Sequence, residues 1–423
     1  MEILVINCGS SSIKTTVINL ATGVRLVVIK IDGIGEAACT LHINGLASTL
    51  PAGLDYDDAL TRIFAEIERF DLHIDGVGHR VVHGGEQFSQ PTLIETETEA
   101  AIEALVPLAP LHNPACLAGI HAARRLLPQL PQVAVFDTAF HSTLPKHARA
   151  YALPQKVVDK LGIRRYGFHG ISHEYVAQRA SEFLSRDLSK LRLIACHLGN
   201  GCSIAAIEHG RSVETSMGMT PLEGLVMGTR CGDIDPGVVM QLQRAGDLSV
   251  DELDKMLNHS SGLLGMTGVN DMREIEVRAA QGDESASLAI QVFTHRIRKY
   301  IGAYAAVMGG VDAIVFMGGI GEHSSLIRHR VAQGLDFLGV HIDEHRNRNL
   351  RIDRNCPVAE FSASHSPARL LVVATDEAQL IAERTAQTID QSREKGSRRT
   401  SLSPTITMAD AAVVAPRKIE GDI

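Results

Sequence analysis

The chain is predicted to be an α/β protein built from two related halves, and three observations carry that prediction. Residues 3–18 read as an apolar strand (Ile3-Leu4-Val5-Ile6), a polar turn around Asn7, Gly9 and three serines, and a second apolar-rich run from Ile13 to Ile18. That is the pattern of a β-hairpin with hydrogen-bond donors at its tip. Residues 193–207 repeat it, with Leu193-Ile194-Ala195-Cys196 running into Gly199-Asn200-Gly201 and returning through Ile204 to Ile207. Strands also alternate with helix-period segments along most of the chain, and 423 residues exceed what one hydrophobic core supports, so two domains are expected.

The elements follow in order. Asn113-Pro114 reads as an N-cap and first helical residue, with Leu117, Ile120, Ala123 and Leu127 on one face behind it. Gln132–Phe136 reads as a strand ending at Asp137. Phe293, Ile297, Ile301, Tyr304 and Met308 recur at helical spacing and stop at Gly309-Gly310, which predicts a long amphipathic helix. Ala313–Phe316 is a strand leaving through the Gly-rich turn 318–321, and Leu371–Ala374 is a last strand, followed by a helix from about Ala378 to Thr388. From about Ser392 the composition turns to Ser, Arg, Lys, Pro and Thr, so residues 391–423 are read as a flexible or loosely docked tail.

Composition narrows the function. The net charge of −8 argues against a nucleic-acid partner or an acidic membrane surface. No apolar run approaches the roughly 20 residues of a membrane-spanning helix, and no signal peptide precedes the first strand. Seven scattered cysteines without a C-x-x-C pair suit reduced thiols in a cytoplasmic protein.

Candidate chemistry lies between the elements. The tip of the first hairpin, with Gly9 and Lys14, suits an anion such as phosphate, although Gly9-x4-Lys14-Thr15 lacks the glycine that a Walker loop places before lysine. Arg80 and Arg230 each sit in a Gly-flanked segment, either as solvated strand-end charges or as guanidinium forks for a carboxylate or phosphate. His169 fits a packed residue or a catalytic one. Asp137 and Glu377, each just beyond an apolar strand, fit strand caps or water-mediated Mg2+ ligands.

Ten segments taken together resemble the acetate kinases of the acetate and sugar kinase, Hsp70 and actin superfamily. They are residues 7–14, 78–86, 108–114, 136–141, 165–170, 197–201, 215–225, 228–236, 318–322 and 375–377, in the family's order over about 2–388. The resemblance implies a duplicated ββ-βαβαα (actin-like ATPase, ribonuclease H-like) fold with an interdomain active-site cleft. It implies an N-terminal domain over 1–145, completed by the helix at about 378–390, and a C-terminal nucleotide-binding domain over 146–377. The implied reaction is reversible phosphoryl transfer from ATP to acetate, giving ADP and acetyl phosphate, with Mg2+ (or Mn2+) as cofactor, in a homodimer.

Residue by residue, the resemblance makes Arg80, Asp137, His169 and Arg230 catalytic, and Asn7 and Glu377 metal-associated. It assigns Arg80, Val82, Leu111, His112, Phe168 and Pro221 to the acid substrate. Lys14, His197, Leu198, Gly199, Asn200, Gly201, Asp271, Met272, Arg273, Gly319, Ile320, Gly321, Glu322 and His323 fall to ATP. The chain departs from the family pattern at His323, Cys231, Ile171 and Glu214. A carboxylate is already a competent nucleophile at pH 7, so in-line alignment and charge neutralisation are what such an enzyme supplies.

Overall fold

The computed structural model describes residues 1–9, 11–110 and 112–401, whose strands form two mixed sheets. The first contains β1 (Glu2–Cys8), β2 (Ser12–Asn19), β3 (Val24–Asp32), β4 (Cys39–Ile43), β5 (Leu46–Leu50), β6 (Gly76–Val81), β7 (Thr92–Leu93) and β8 (Gln132–Phe136). The second contains β9 (Arg192–Leu198), β10 (Cys202–Glu208), β11 (Arg211–Thr215), β12 (Ala313–Met317), β13 (Val358–Glu360) and β14 (Arg369–Val373).

The sheet order carries the duplication. The first sheet runs β5-β4-β3-β2-β1-β6-β8-β7 and the second β11-β10-β9-β12-β14-β13. Within each, an antiparallel hairpin (β1/β2, β9/β10) is flanked by two parallel strands (β6 and β8, β12 and β14). Equivalent register positions therefore exist: Asn7 faces Lys14 across the first hairpin, and His197 faces Ser203 across the second. The parallel strands β8, β12 and β14 are largely apolar and buried on both faces.

The helix Glu284–Met308 buries all five residues of the predicted stripe and stops at Gly309, whose φ of +67° suits glycine at a C-cap. The helix beginning at Asn113 does not use Asn113 as its cap. Its Oδ1 instead accepts the His83 N–H at 3.2 Å and its Nδ2 donates to the His83 carbonyl at 3.2 Å. That pins the segment after β6 against the helix. The last helix spans Glu377–Ser401 and packs on β1, β6 and β8, returning the chain to the first sheet. It runs past the expected end near 388–390, because Glu, Gln, Lys and Arg are good helix formers and extending an anchored helix is cheap. The rest of the expected tail, 402–423, lies outside the described residues.

Candidate active site

Parallel pairing puts the ends of β1, β6 and β8 side by side. Asn7, Arg80 and Asp137 project from these ends: Arg80 sits one residue beyond the last β1–β6 pair, and the Asp137 N–H donates to the Val81 carbonyl at 3.0 Å. Arg80 pairs with Asp137 through Nη2 and Oδ2, approaches Asn7 Oδ1 at 3.5 Å, and has Nε 3.8 Å from Glu377 Oε2. Glu377 arrives from β14 as the first residue of the last helix, and its Oε1 accepts the Ser172 hydroxyl. One arginine thus pairs with two carboxylates remote from each other in sequence.

Burial pushes the Asp137 carboxyl up to about 6 against the pull of Arg80. Burial acts likewise on Glu377, but Arg80, Ser172, His197 and Lys14 outweigh it and hold the carboxyl below its usual range. Burial opposes the Arg80 charge too, yet Asp137 and Glu377 raise it above the ordinary arginine value. All three are charged at neutral pH.

The second half contributes His169 and Arg230. His169 has φ +58° and begins the Gly170–Leu184 helix; a non-glycine residue held in the left-handed region is strained. The next residue must be glycine: its N–H donates to the Asp137 carbonyl at 2.9 Å, and a Cβ there would lie 2.2 Å from that oxygen. The backbone of Asp137 therefore locates His169. The imidazole stacks on His197 (4.2 Å between centroids, 15°).

Arg230 donates from Nη1 to the Pro221 carbonyl at 3.2 Å, and no carboxylate pairs with it among the described residues. A Cβ on Gly201 would lie 3.5 Å from both Arg230 Nη1 and His169 Nε2, so the turn of the second hairpin, the histidine and the arginine converge. Burial lowers the Arg230 pKa, and the guanidinium remains a cation with unused donors.

His112 stands beside both arginines: burial, then Arg80 and Arg230, push it down to about 4, so it is neutral at pH 7. Val82 and Phe168 are buried in one apolar cluster next to this centre, and the Pro221 carbonyl borders it. Leu111 lies outside the described residues.

A separate cavity of about 550 Å³ is lined by Gly199, Asn200, Asp271, Met272, Arg273, Gly319, Ile320 and His323, among others. Asp271 caps the Met272–Ala280 helix and pairs with Arg273 at 2.6 Å. Gly318, at φ +74°, lets the Gly318–His323 helix begin against the Leu198 backbone. Leu198 itself is wholly buried and Gly201 faces the His169 side. Lys14 and His197 line a neighbouring cavity of about 510 Å³ with Asn7 and Glu377.

The Oε1 of Glu322 accepts from Gly318 N (3.1 Å), Thr375 N (3.0 Å) and Thr375 Oγ1 (2.8 Å), so it fastens the Gly-rich turn to the segment before Glu377.

Sequence reasoning missed Ser172, His173, Ser203 and Thr375. Ser172 and His173 followed His169 closely, and Ser203 ended the Asn200-Gly201 turn, but only the fold shows that Ser172 meets Glu377 and that Ser203 meets both His169 and His173.

A divalent cation fits one feature of this centre. Asp137 Oδ1 is buried without a hydrogen-bond partner, beside the Glu377 carboxylate. No group of three or more His, Cys, Asp or Glu side chains converges as a metal site among the described residues. Two carboxylates with the remaining positions left to water and phosphate oxygens is how Mg2+ is usually held.

The Acetokinase family profile matches residues 2–383. The chain is 45% identical to the acetate kinase of Halothermothrix orenii, over 92% of this chain and all of that one. It is 46% identical to the acetate kinase of Bacillus subtilis, over 90% and 98%. Among solved structures, Porphyromonas gingivalis acetate kinase superposes with a TM-score of 0.86 at 42% identity, covering 92% of this chain and 99% of that one. A propionate kinase from Francisella tularensis superposes with 0.85 at 42%, covering 91% and 99%. Two sheets of one topology, a cationic centre between them and a match across nearly the whole length lead to one conclusion: the chain belongs to the acetokinase family.

Proposed function

We propose that this protein is an acetate kinase, transferring the terminal phosphoryl group of ATP to the acetate carboxylate, reversibly and without a phosphoenzyme. The observation that carries the reading is the convergence of Arg80, Arg230 and His169 on one point, with an apolar wall formed by Val82 and Phe168 beside it. A nucleotide switch has no need of a second anion site next to an apolar pocket.

In this reading the adenosine occupies the cavity bordered by Asn200, Asp271 and Ile320, and the phosphates pass Gly201 toward Arg230. Arg80 holds the acetate carboxylate, with its oxygen aligned to the phosphorus. As charge spreads over the three equatorial oxygens, Arg230 and His169 donate hydrogen bonds to them. Asp137 and Glu377 would hold Mg2+, or Mn2+, through one or two oxygens and water; the ion supplies neutralisation of the phosphate charge. Neutral His112 borders the acid without adding charge. The two sheets are proposed to belong to domains 1–145 (with the last helix) and 146–377, closing on each other around the substrates, in a cytoplasmic homodimer.

The test is hydroxamate formation by purified protein with MgATP and acetate, propionate or butyrate in parallel. Acetate-selective product supports the proposal. Propionate preference would keep the chemistry and overturn the pocket assignment; the likeness to the Francisella propionate kinase makes that the second reading. No product with any acid sinks both.

A further inference from the structure

We propose that Ser203 and His173 are a positioning pair that fixes His169 as the Nε2–H tautomer, so that the ring offers a donor, not a lone pair, to the cleft. The inference rests on the reading of His169 as a donor to the transferring phosphoryl group.

The geometry consists of one hydroxyl between two imidazoles. Ser203 Oγ lies 3.0 Å from His169 Nδ1 and 2.8 Å from His173 Nε2. A hydroxyl carries a single proton and can donate to only one of them. If it donates to His169 Nδ1, His173 donates from Nε2 to the hydroxyl oxygen, and the proton of His169 resides on Nε2. If it donates to His173, the proton of His173 must sit on Nδ1. That atom is buried with no partner among the described residues, and an orphaned buried N–H is rarer than an orphaned acceptor. The first arrangement therefore prevails.

A second histidine in the same wall follows the same rule. His141 Nε2 is 3.0 Å from the Phe168 carbonyl, which can only accept, while its Nδ1 is 2.8 Å from the Ser212 hydroxyl. Two serine-to-Nδ1 contacts thus flank the Phe168-His169 peptide.

The other face of the His169 ring decides why this matters. Nε2 points toward the space beside Gly201 and Arg230. Stacking on His197 fixes the ring plane, and the Ser203 contact at Nδ1 sets which edge of the ring faces the cleft. Burial, followed by the neighbouring His197, His173, Arg80 and Arg230, keeps His169 neutral at pH 7. For a neutral ring, the tautomer sets whether an equatorial phosphoryl oxygen meets a proton or a lone pair.

The test is long-range 1H–15N NMR of the full chain labelled with 15N-histidine, with the His169 signals assigned by their loss in His169→Ala. An unprotonated Nδ1 and a protonated Nε2 on His169 are expected. In Ser203→Ala the signals should move toward a tautomer mixture, and kcat should fall about ten-fold, the worth of one hydrogen bond, with both KM values changed less than about two-fold. A wild-type spectrum with the proton on Nδ1 overturns the proposal, as does an unchanged kcat and tautomer in Ser203→Ala. The wild-type spectrum decides even where Ser203→Ala folds poorly. A fully active His169→Ala would instead remove the catalytic reading beneath it.

Discussion

Three buried neutral histidines make the fold sensitive to mild acid. His79 Nε2 donates to Gln132 Oε1 (2.9 Å), His83 takes the Gly85 N–H on Nδ1 (3.0 Å), and His141 lies between Ser212 and Phe168; each is at most 2% exposed. Burial pushes all three down to about 4. Their unfolded value is about 6.5. As pH falls below that, the unfolded chain binds protons first, so stability is lost progressively from pH 6.5 to 4 and no further below. At pH 5 each ring costs about 2 kcal/mol, or about 6 kcal/mol together.

Asp137 acts oppositely. Its carboxyl is raised to about 6, so the folded state takes a proton first and regains about 1 kcal/mol at pH 5. His169, His173 and His197 are lowered as well and enlarge the loss. A net fall of at least about 4 kcal/mol is large against a total stability of roughly 5–15 kcal/mol. Urea unfolding followed by circular dichroism at pH 7, 6 and 5, at constant ionic strength, should show the midpoint dropping across this range. A midpoint unchanged between pH 7 and 5 would refute the assignment of these rings as buried and neutral.

Removal of either guanidinium, in Arg80→Ala or Arg230→Ala, should lower kcat by about 100- to 1000-fold in the hydroxamate assay, as for other single charge-stabilising donors. Gly228→Ala would place a Cβ 1.9 Å from Asn200 Oδ1 and displace the turn; titration calorimetry should find ATP bound about ten-fold more weakly. Glu322→Ala removes an acceptor of three hydrogen bonds and should cost about 2–3 kcal/mol in thermal unfolding. Val82→Ala enlarges the apolar wall and should raise the propionate-to-acetate ratio of kcat/KM by about ten-fold or more; an unchanged ratio would remove Val82 from the acid pocket.

Much of the centre was legible because strand ends in a parallel sheet lie side by side. Once Ile3–Ile6 and Gln132–Phe136 are read as strands and Arg80 as lying at a strand end, Asn7, Arg80 and Asp137 are neighbours by topology. The long helix under the second sheet was equally legible, since five apolar residues at helical spacing leave one face to bury. The Glu322 contact to Thr375 was not legible, because a Gly-rich turn followed by an acid looks the same in sequence whether or not an oxygen of the carboxylate turns inward. The continuation of the helix past 390 was not legible because a charged segment offers no core, yet an anchored helix needs none to continue.

The sequence by itself determined the period of each element, the repeated hairpin and the residue types gathered at the turns, because these follow from local backbone preference and the need to bury apolar faces. Only the tertiary structure decided which side chains meet. Ser172 reaches Glu377 across 205 positions of the chain, and Ser203 sits between His169 and His173 because β9 and β10 pair in a register that places it opposite His197. Hydrogen bonds of that kind depend on separations of a few tenths of an ångström between segments remote in sequence, and no local pattern encodes such distances.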